Sequence, residues 1–260
     1  MLSDFDVSAK NYDHAFTFSQ IGRAQRSRVH QFLEKNILEA KSLSVLELNC
    51  GTGEDARFFS EKGHQIIATD ISEEMIQAAL SKNIKGSVRF VQHDMTTITE
   101  DTFQKKFDLI FSNFGGLNCL PEEELKEMMQ KIDKLLNPLG KIALVIMPKH
   151  CLWETFYFLM KGNWKKATRR NTKKSVMANV DGVEVSTWYY NPKDIVTLAK
   201  NQFRTLAIKP IGMTIPPSYL EPYFKDKKSF FRLLVRMESM FAARFWAKYA
   251  DHYLVAFQKK

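Results

Sequence analysis

Five short apolar runs, separated for the most part by segments of helical pattern, constrain this chain more than any other feature. They lie at residues 44–49 (SVLELN), 65–70 (QIIATD), 88–92 (VRFVQ), 107–112 (FDLIFS) and 141–147 (KIALVIM). Helical patterns fill 54–62, 72–82 and the stretch from Glu122 to Leu136. Ser72 reads as an N-cap, with Glu73 and Glu74 in the first turn behind it. Asn137-Pro-Leu-Gly140 reads as the stop after the third helix. Strands apolar on both faces and alternating with helices predict a parallel sheet covered by helices, an α/β fold. In such sheets ligands bind outside the carboxyl ends of the strands, so the residues just after each strand are where function is sought.

Past residue 150 the rhythm changes. An aromatic helix is expected over 150–160, a polar and basic stretch over 161–174, and a hairpin over 176–190 turning at Asp181-Gly182. Asn191-Pro192 caps a helix reaching about residue 201, and strands follow at 205–211 and 252–257 (HYLVAF). Between them, 219–249 reads mostly as one helix, with Phe230, Leu234, Met237, Phe241 and Phe245 on one apolar face.

Composition limits the class. With 260 residues and 45% hydrophobic content the chain has ample material for a core, and disorder is expected only at the ends. No apolar run is long enough to span a membrane. The N-terminus starts acidic and lacks the apolar stretch of a secretory signal, and the three cysteines form no CxxC pair, so a reducing, cytoplasmic location is expected. The six histidines show no metal-binding spacing, and no metal is expected. A net charge of +9 is compatible with nucleic acid, an anionic membrane or an acidic partner.

The loop after the first strand, Glu47-Leu-Asn-Cys-Gly-Thr-Gly-Glu-Asp-Ala56, carries Gly51-x-Gly53-x-x-Ala56 between strand and helix, a relaxed nucleotide-binding fingerprint. Glu47 decides which nucleotide. A pyrophosphate there would face a carboxylate at Coulombic cost, whereas an ammonium and a sulfonium would be attracted, which points to S-adenosylmethionine. Asp70, closing the second strand, is placed to accept from ribose hydroxyls, and Asp94, closing the third, from an adenine amine. Ile71 and Met95 offer apolar cover to the ring.

These motifs resemble those of class I S-adenosylmethionine-dependent methyltransferases of the small-molecule type, related to ubiquinone and menaquinone methyltransferases. VLELNCGTGEDA, IIATDIS, VQHDM, FDLIFSNFGGLNCL and NPLGKIALVI resemble the family's successive motifs over residues 40–150. The resemblance implies a Rossmann-like sheet of seven strands, mostly parallel, with HYLVAF antiparallel, and helices on both faces. It also implies that Glu47 and Gly51 hold the amino-acid end of the cofactor, that Asn113 and Phe114 line the methyl-transfer site, and that Tyr12, within SAKNYDHAF, folds over the cofactor. Asn49 stands where the family has its first glycine; Asn tolerates positive φ best among the other residues, so the loop is expected to form. The whole chain is then one domain: a helical cap (1–40), a cofactor-binding core (41–150), a helical and hairpin lid (151–190), and the rest of the sheet with a long helix insertion (191–260).

His150, just after the fifth strand, is a candidate base, although displacement on an anionic nucleophile needs none. Asn113-Phe-Gly-Gly116 is not the Asn/Asp-Pro-Pro-Tyr/Phe sequence suited to exocyclic amines. The aromatic lid favours a methyl acceptor oxygen or carbon on a small lipophilic or aromatic metabolite. The basic stretches at 161–174 and 225–248 read as solvated faces, or as receivers of an anionic substrate, a carrier protein or a membrane surface; RNA is less favoured, for want of a recognised binding module.

Overall fold

The structure, a computed structural model, describes residues 6, 12–38, 41–180 and 183–260. The five apolar runs form β1 (Ser44–Leu48), β2 (Gln65–Asp70), β3 (Val88–Gln92), β4 (Phe107–Ser112) and β5 (Leu136–Ile146). Two further strands, β6 (Val176–Val180) and β7 (Val183–Thr187), make a separate antiparallel hairpin whose expected turn, Asp181-Gly182, lies outside the described residues. The last two, β8 (Phe203–Ile211) and β9 (His252–Lys259), complete a seven-stranded sheet ordered β3-β2-β1-β4-β5-β9-β8. β1 to β5 are parallel, and β9 runs antiparallel between β5 and β8. The chain order reverses between β1 and β4, which opens a crevice at their carboxyl ends.

The period-two alternation of strand side chains divides the core in two. On one face Val45, Leu109, Phe111, Val145 and Leu254 pack with α1 (Gln20–Asn36), α2 (Glu54–Glu61) and α3 (Glu73–Ser81) through Val29, Leu33, Phe59 and Ile76. On the other, Leu46, Ile110, Leu144 and Val255 pack with α4 (Glu122–Leu135) and α6 (Pro192–Ala199) through Met128, Ile132 and Ile195. Helices on both faces of a seven-stranded, mostly parallel sheet are the expected architecture. Local signals hold at the helix ends: Ser72 accepts from Met75 N at 3.1 Å, and Asn191 with Asp194 forms a reciprocal cap on α6.

Two expectations are corrected. The 219–249 stretch is not one helix but a chain of short pieces around α7 (Lys228–Met237), with 3-10 turns at Glu238–Phe241 and Arg244–Lys248. The loop after β8 presents four backbone N–H groups, of Gly212, Met213, Thr214 and Ile215, and all four donate to the buried Glu238 carboxylate at 2.7–3.1 Å. Satisfying those donors takes precedence over continuing the helix, and Ala243 then turns extended. The expected apolar face holds only in part: Leu234 is buried as expected, but Phe230 and Phe245 are exposed and Phe231 turns inward instead. The second correction concerns the basic stretch after α5 (Leu152–Met160): Arg170 is buried and Arg169 half-buried, so neither is part of a fully solvated face. Both bind the buried Glu154 of α5, and Arg170 also reaches Asp251 Oδ1 at 3.0 Å.

Candidate active site

Glu47, on the α1 face at the end of β1, is only 1% exposed. Its Oε2 is buried with no hydrogen-bond partner, and burial, reinforced by Asp55 and Asp70, pushes its carboxyl well above the usual range against the opposing pull of Arg26. Two residues on, Asn49 takes the positive φ (47°) where Asn is tolerated. Its side chain ties the loop to the end of β4, donating to Asn113 O at 2.8 Å and accepting from Ser112 Oγ at 2.5 Å. Gly51 N donates to Asp70 Oδ2 at 2.8 Å and Ser72 N to Asp70 Oδ1 at 3.0 Å, so the β2 acid is gripped by the loop it faces. Burial raises the Asp70 carboxyl, those N–H bonds offsetting part of the rise. Gly53, at φ 79°, caps α2 where an added Cβ would lie 2.8 Å from the Phe90 ring.

Sequence reasoning missed the group that closes this site. Arg26 and His30, one turn apart on α1, both bind Asp55 in the first turn of α2, His30 Nε2 at 2.6 Å. Asn113 Nδ2 donates to the same Asp55 at 3.0 Å. Burial works against ionising Asp55, yet Arg26 and His30 hold its carboxyl far below the usual range. The i,i+4 spacing of Arg26 and His30 was visible, but nothing local named their partner. The N-terminal segment is clasped down as well: Asp13 accepts from Thr52 Oγ1 at 2.5 Å and pairs with Lys82 at 2.7 Å.

Tyr12, Arg26, Asn49, Gly51, Asp55, Asn113 and Phe114 therefore line one small cavity of about 20 Å³, room for a single water. Desolvation pushes the Tyr12 phenol to about 12. A wider groove of about 560 Å³ runs outside it between α1 and α2, along Arg23, His30 and Arg57, and shares Arg26 and Glu54 with the inner cavity.

Other candidates lie apart from that cavity. Asp94 lies two residues past β3 with Oδ1 accepting from both Thr96 N and Thr96 Oγ1 at 2.8 Å, a turn cap in its own right. Met95 packs toward the α4 face, and Ile71 is exposed after β2. His150 faces Tyr249 at a ring distance of 6.2 Å; burial, with Lys248 and Lys149, lowers its pKa.

Residues 45–140 match a family described as a methyltransferase domain. The malonyl-[acyl-carrier protein] O-methyltransferase of Enterobacter lignolyticus (strain SCF1) is 28% identical over 42% of this chain and 41% of its own. The demethylmenaquinone methyltransferase of Clavibacter sepedonicus is 27% identical over 54% of this chain and 55% of its own. The chain thus spans about half the length of these curated relatives. In fold, the magnesium protoporphyrin IX methyltransferase ChlM of Synechocystis PCC 6803, solved with bound SAH, superposes over 92% of this chain and 84% of its own, with a TM-score of 0.58 at 16% identity. The resemblance read from the motifs agrees with these matches: residues 45–140 are similar to a methyltransferase domain, and the chain has the fold of the solved methyltransferases.

Proposed function

We propose that the chain transfers the methyl group of S-adenosylmethionine to an oxygen or carbon of a small lipophilic or aromatic metabolite. The observation that carries the cofactor is Glu47. A buried carboxylate with an orphaned oxygen, flanked by two further acids, is unstable as an anion unless a cation joins it, and the cofactor's ammonium is such a cation. A dinucleotide pyrophosphate at the same loop would add negative charge to three carboxylates.

On this reading Asp70 accepts from the ribose hydroxyls, and Asp94 turns its second oxygen to the adenine amine between Ile71 and Met95. Tyr12 covers the cofactor, and Asn113 and Phe114, anchored through Asp55 and Asn49, border the transfer site. The cofactor supplies a sulfonium-activated methyl; the acceptor's electron pair forms the new bond to carbon as the carbon–sulfur bond breaks and its electrons stay on sulfur. The acceptor's proton passes to solvent, and no step here depends on His150. The basic lid also suits a carrier-bound acidic acceptor, a second reading in keeping with the similarity to a malonyl-[acyl-carrier protein] O-methyltransferase.

Thermal melts with S-adenosylmethionine, S-adenosylhomocysteine, NAD and NADP test the cofactor. A ligand at about 100 times its Kd adds about 2.7 kcal/mol, a rise on the order of 5–10 °C for a chain of this size. Only the adenosyl pair is expected to shift the midpoint; a shift by a nicotinamide dinucleotide would sink the reading. Tritiated methyl transfer into organic-soluble, carrier-protein and tRNA fractions then sorts the acceptor.

A further inference from the structure

α5 is built inside out. Its one fully buried residue is Glu154, held by Arg169 and Arg170. Its apolar stripe faces outward instead: Leu152, Phe156 (64% exposed) and Met160 (73%) follow one another at i, i+4 and i+8, and Trp164 (73%) stands just beyond. The neighbouring segment repeats the theme. Phe230 and Leu233 of α7 are about half exposed, and the two helices are joined by edge contacts of Trp153 with Phe224 and stacking of Phe224 on Phe230.

Charge is concentrated on the same elements. Residues 152–174 and 219–237 carry twelve Lys and Arg against three Asp and Glu, a surplus equal to the whole chain's net charge of +9. Ten of those cations are exposed. Glu154 is consumed by the arginines and Glu221 by the N–H groups of Gln20 and Ile21, so Asp226 is the exposed acid among them.

We infer that this face of the lid docks on an anionic phospholipid bilayer surface, lysines reading the headgroups while Phe156, Met160, Trp164 and Leu233 enter the boundary with the acyl chains. Charge complementarity selects an anionic occupant, and the aliphatic members choose among anionic ones. Met160 and Leu233 gain nothing from a phosphate backbone or an acidic protein surface, whereas an interfacial layer buries them beside snorkelling lysines. The attachment is peripheral, since among the described residues no helix is long and apolar enough to cross a membrane. The surface does not depend on the methyl-transfer reading, and its test leaves that reading untouched.

Co-sedimentation of the full chain with vesicles checks it. Binding is expected to vesicles of phosphatidylcholine mixed with phosphatidylserine, to be weak on phosphatidylcholine alone, and to fall steeply with salt. Replacing Met160, Trp164 and Leu233 together by Ser should cut binding by about tenfold or more with the melting midpoint retained, and Lys165→Glu with Lys166→Glu should do likewise. The surface being exposed already, both variants are expected to fold. Equal binding by wild type and variants, no binding to either vesicle, or displacement from vesicles by tRNA would overturn the inference. So would a dimer that the serine variant dissociates, which would assign the face to a second copy of the chain.

Discussion

Glu47 and Asp55 sit on neighbouring elements and are driven in opposite directions by their partners. Asp55 has Arg26 and His30 and stays ionised, whereas Glu47 has an orphaned oxygen and is raised. A raised carboxyl means that the folded protein keeps a proton the unfolded chain has already released. Stability of the ligand-free protein therefore falls as pH climbs from the ordinary carboxylate range through Glu47's raised pKa. Glu47→Gln should flatten that slope in pH-dependent melts. The same substitution removes the charge-assisted bond to a ligand ammonium, about 1.5–3 kcal/mol, so cofactor affinity should drop by roughly 10- to 150-fold. Because the bound cation favours the ionised form, wild-type binding should release a proton wherever the ligand-free Glu47 carboxyl is still protonated, read by calorimetry in buffers of different ionisation enthalpy from the ordinary carboxylate range upward. Proton-neutral binding across that whole range would remove Glu47 from the cofactor site.

At the scale of elements, the loop after β1 is locked from two sides, by Asn49 to β4 and by Gly51 to Asp70 of β2. Gly53 sets how it enters α2. A Cβ there meets the Phe90 ring and the Ala79 methyl within 3.0 Å, and the backbone is left-handed. Gly53→Ala should cost about 1–2 kcal/mol from the backbone alone, with the clash added. Urea denaturation should show a lower midpoint together with weakened cofactor binding; unchanged stability would mean the loop adopts another conformation. The elements themselves were mostly legible beforehand. β1 to β5 and the Ser72 cap follow from signals within a few residues of each other. The break in the 219–249 stretch is not legible there, because apolar periodicity alone does not reveal that Glu238 is needed elsewhere, nor that Phe231 rather than Phe230 joins Leu234 on the inward side.

Across the whole molecule, Arg170 joins parts of the chain that are far apart in sequence. It holds Glu154 of α5 and Asp251 before β9, and Asp251 Oδ2 accepts from Gln25 of α1 at 3.2 Å. The lid, the last strand and the N-terminal helix thus meet at one buried ionic knot. Arg170→Ala leaves the Asp251 carboxylate to Gln25 and His252 Nδ1, and Glu154 to Arg169, at a cost of about 3 kcal/mol, the low end for breaking a buried ion pair. Hydrogen exchange should then rise across α5 as well as falling midpoints appear in melts. A variant as stable as wild type would mean the lid is held by its aromatic contacts alone.

By itself the sequence determined the sheet, its helices, and the acids at or just past the carboxyl ends of β1, β2 and β3, because strand burial and helix caps are written in neighbouring residues. It also located Asn49 and Asn113 without revealing that they bind each other. The tertiary structure alone decided the Arg26–His30–Asp55–Asn113 cluster, the solitude of Glu47, the Arg170 knot and the outward turn of α5. Each of these depends on which residues far apart along the chain the fold brings together or leaves without a partner. A charged side chain's local context states its type; only the fold states which charge, if any, it will be buried against.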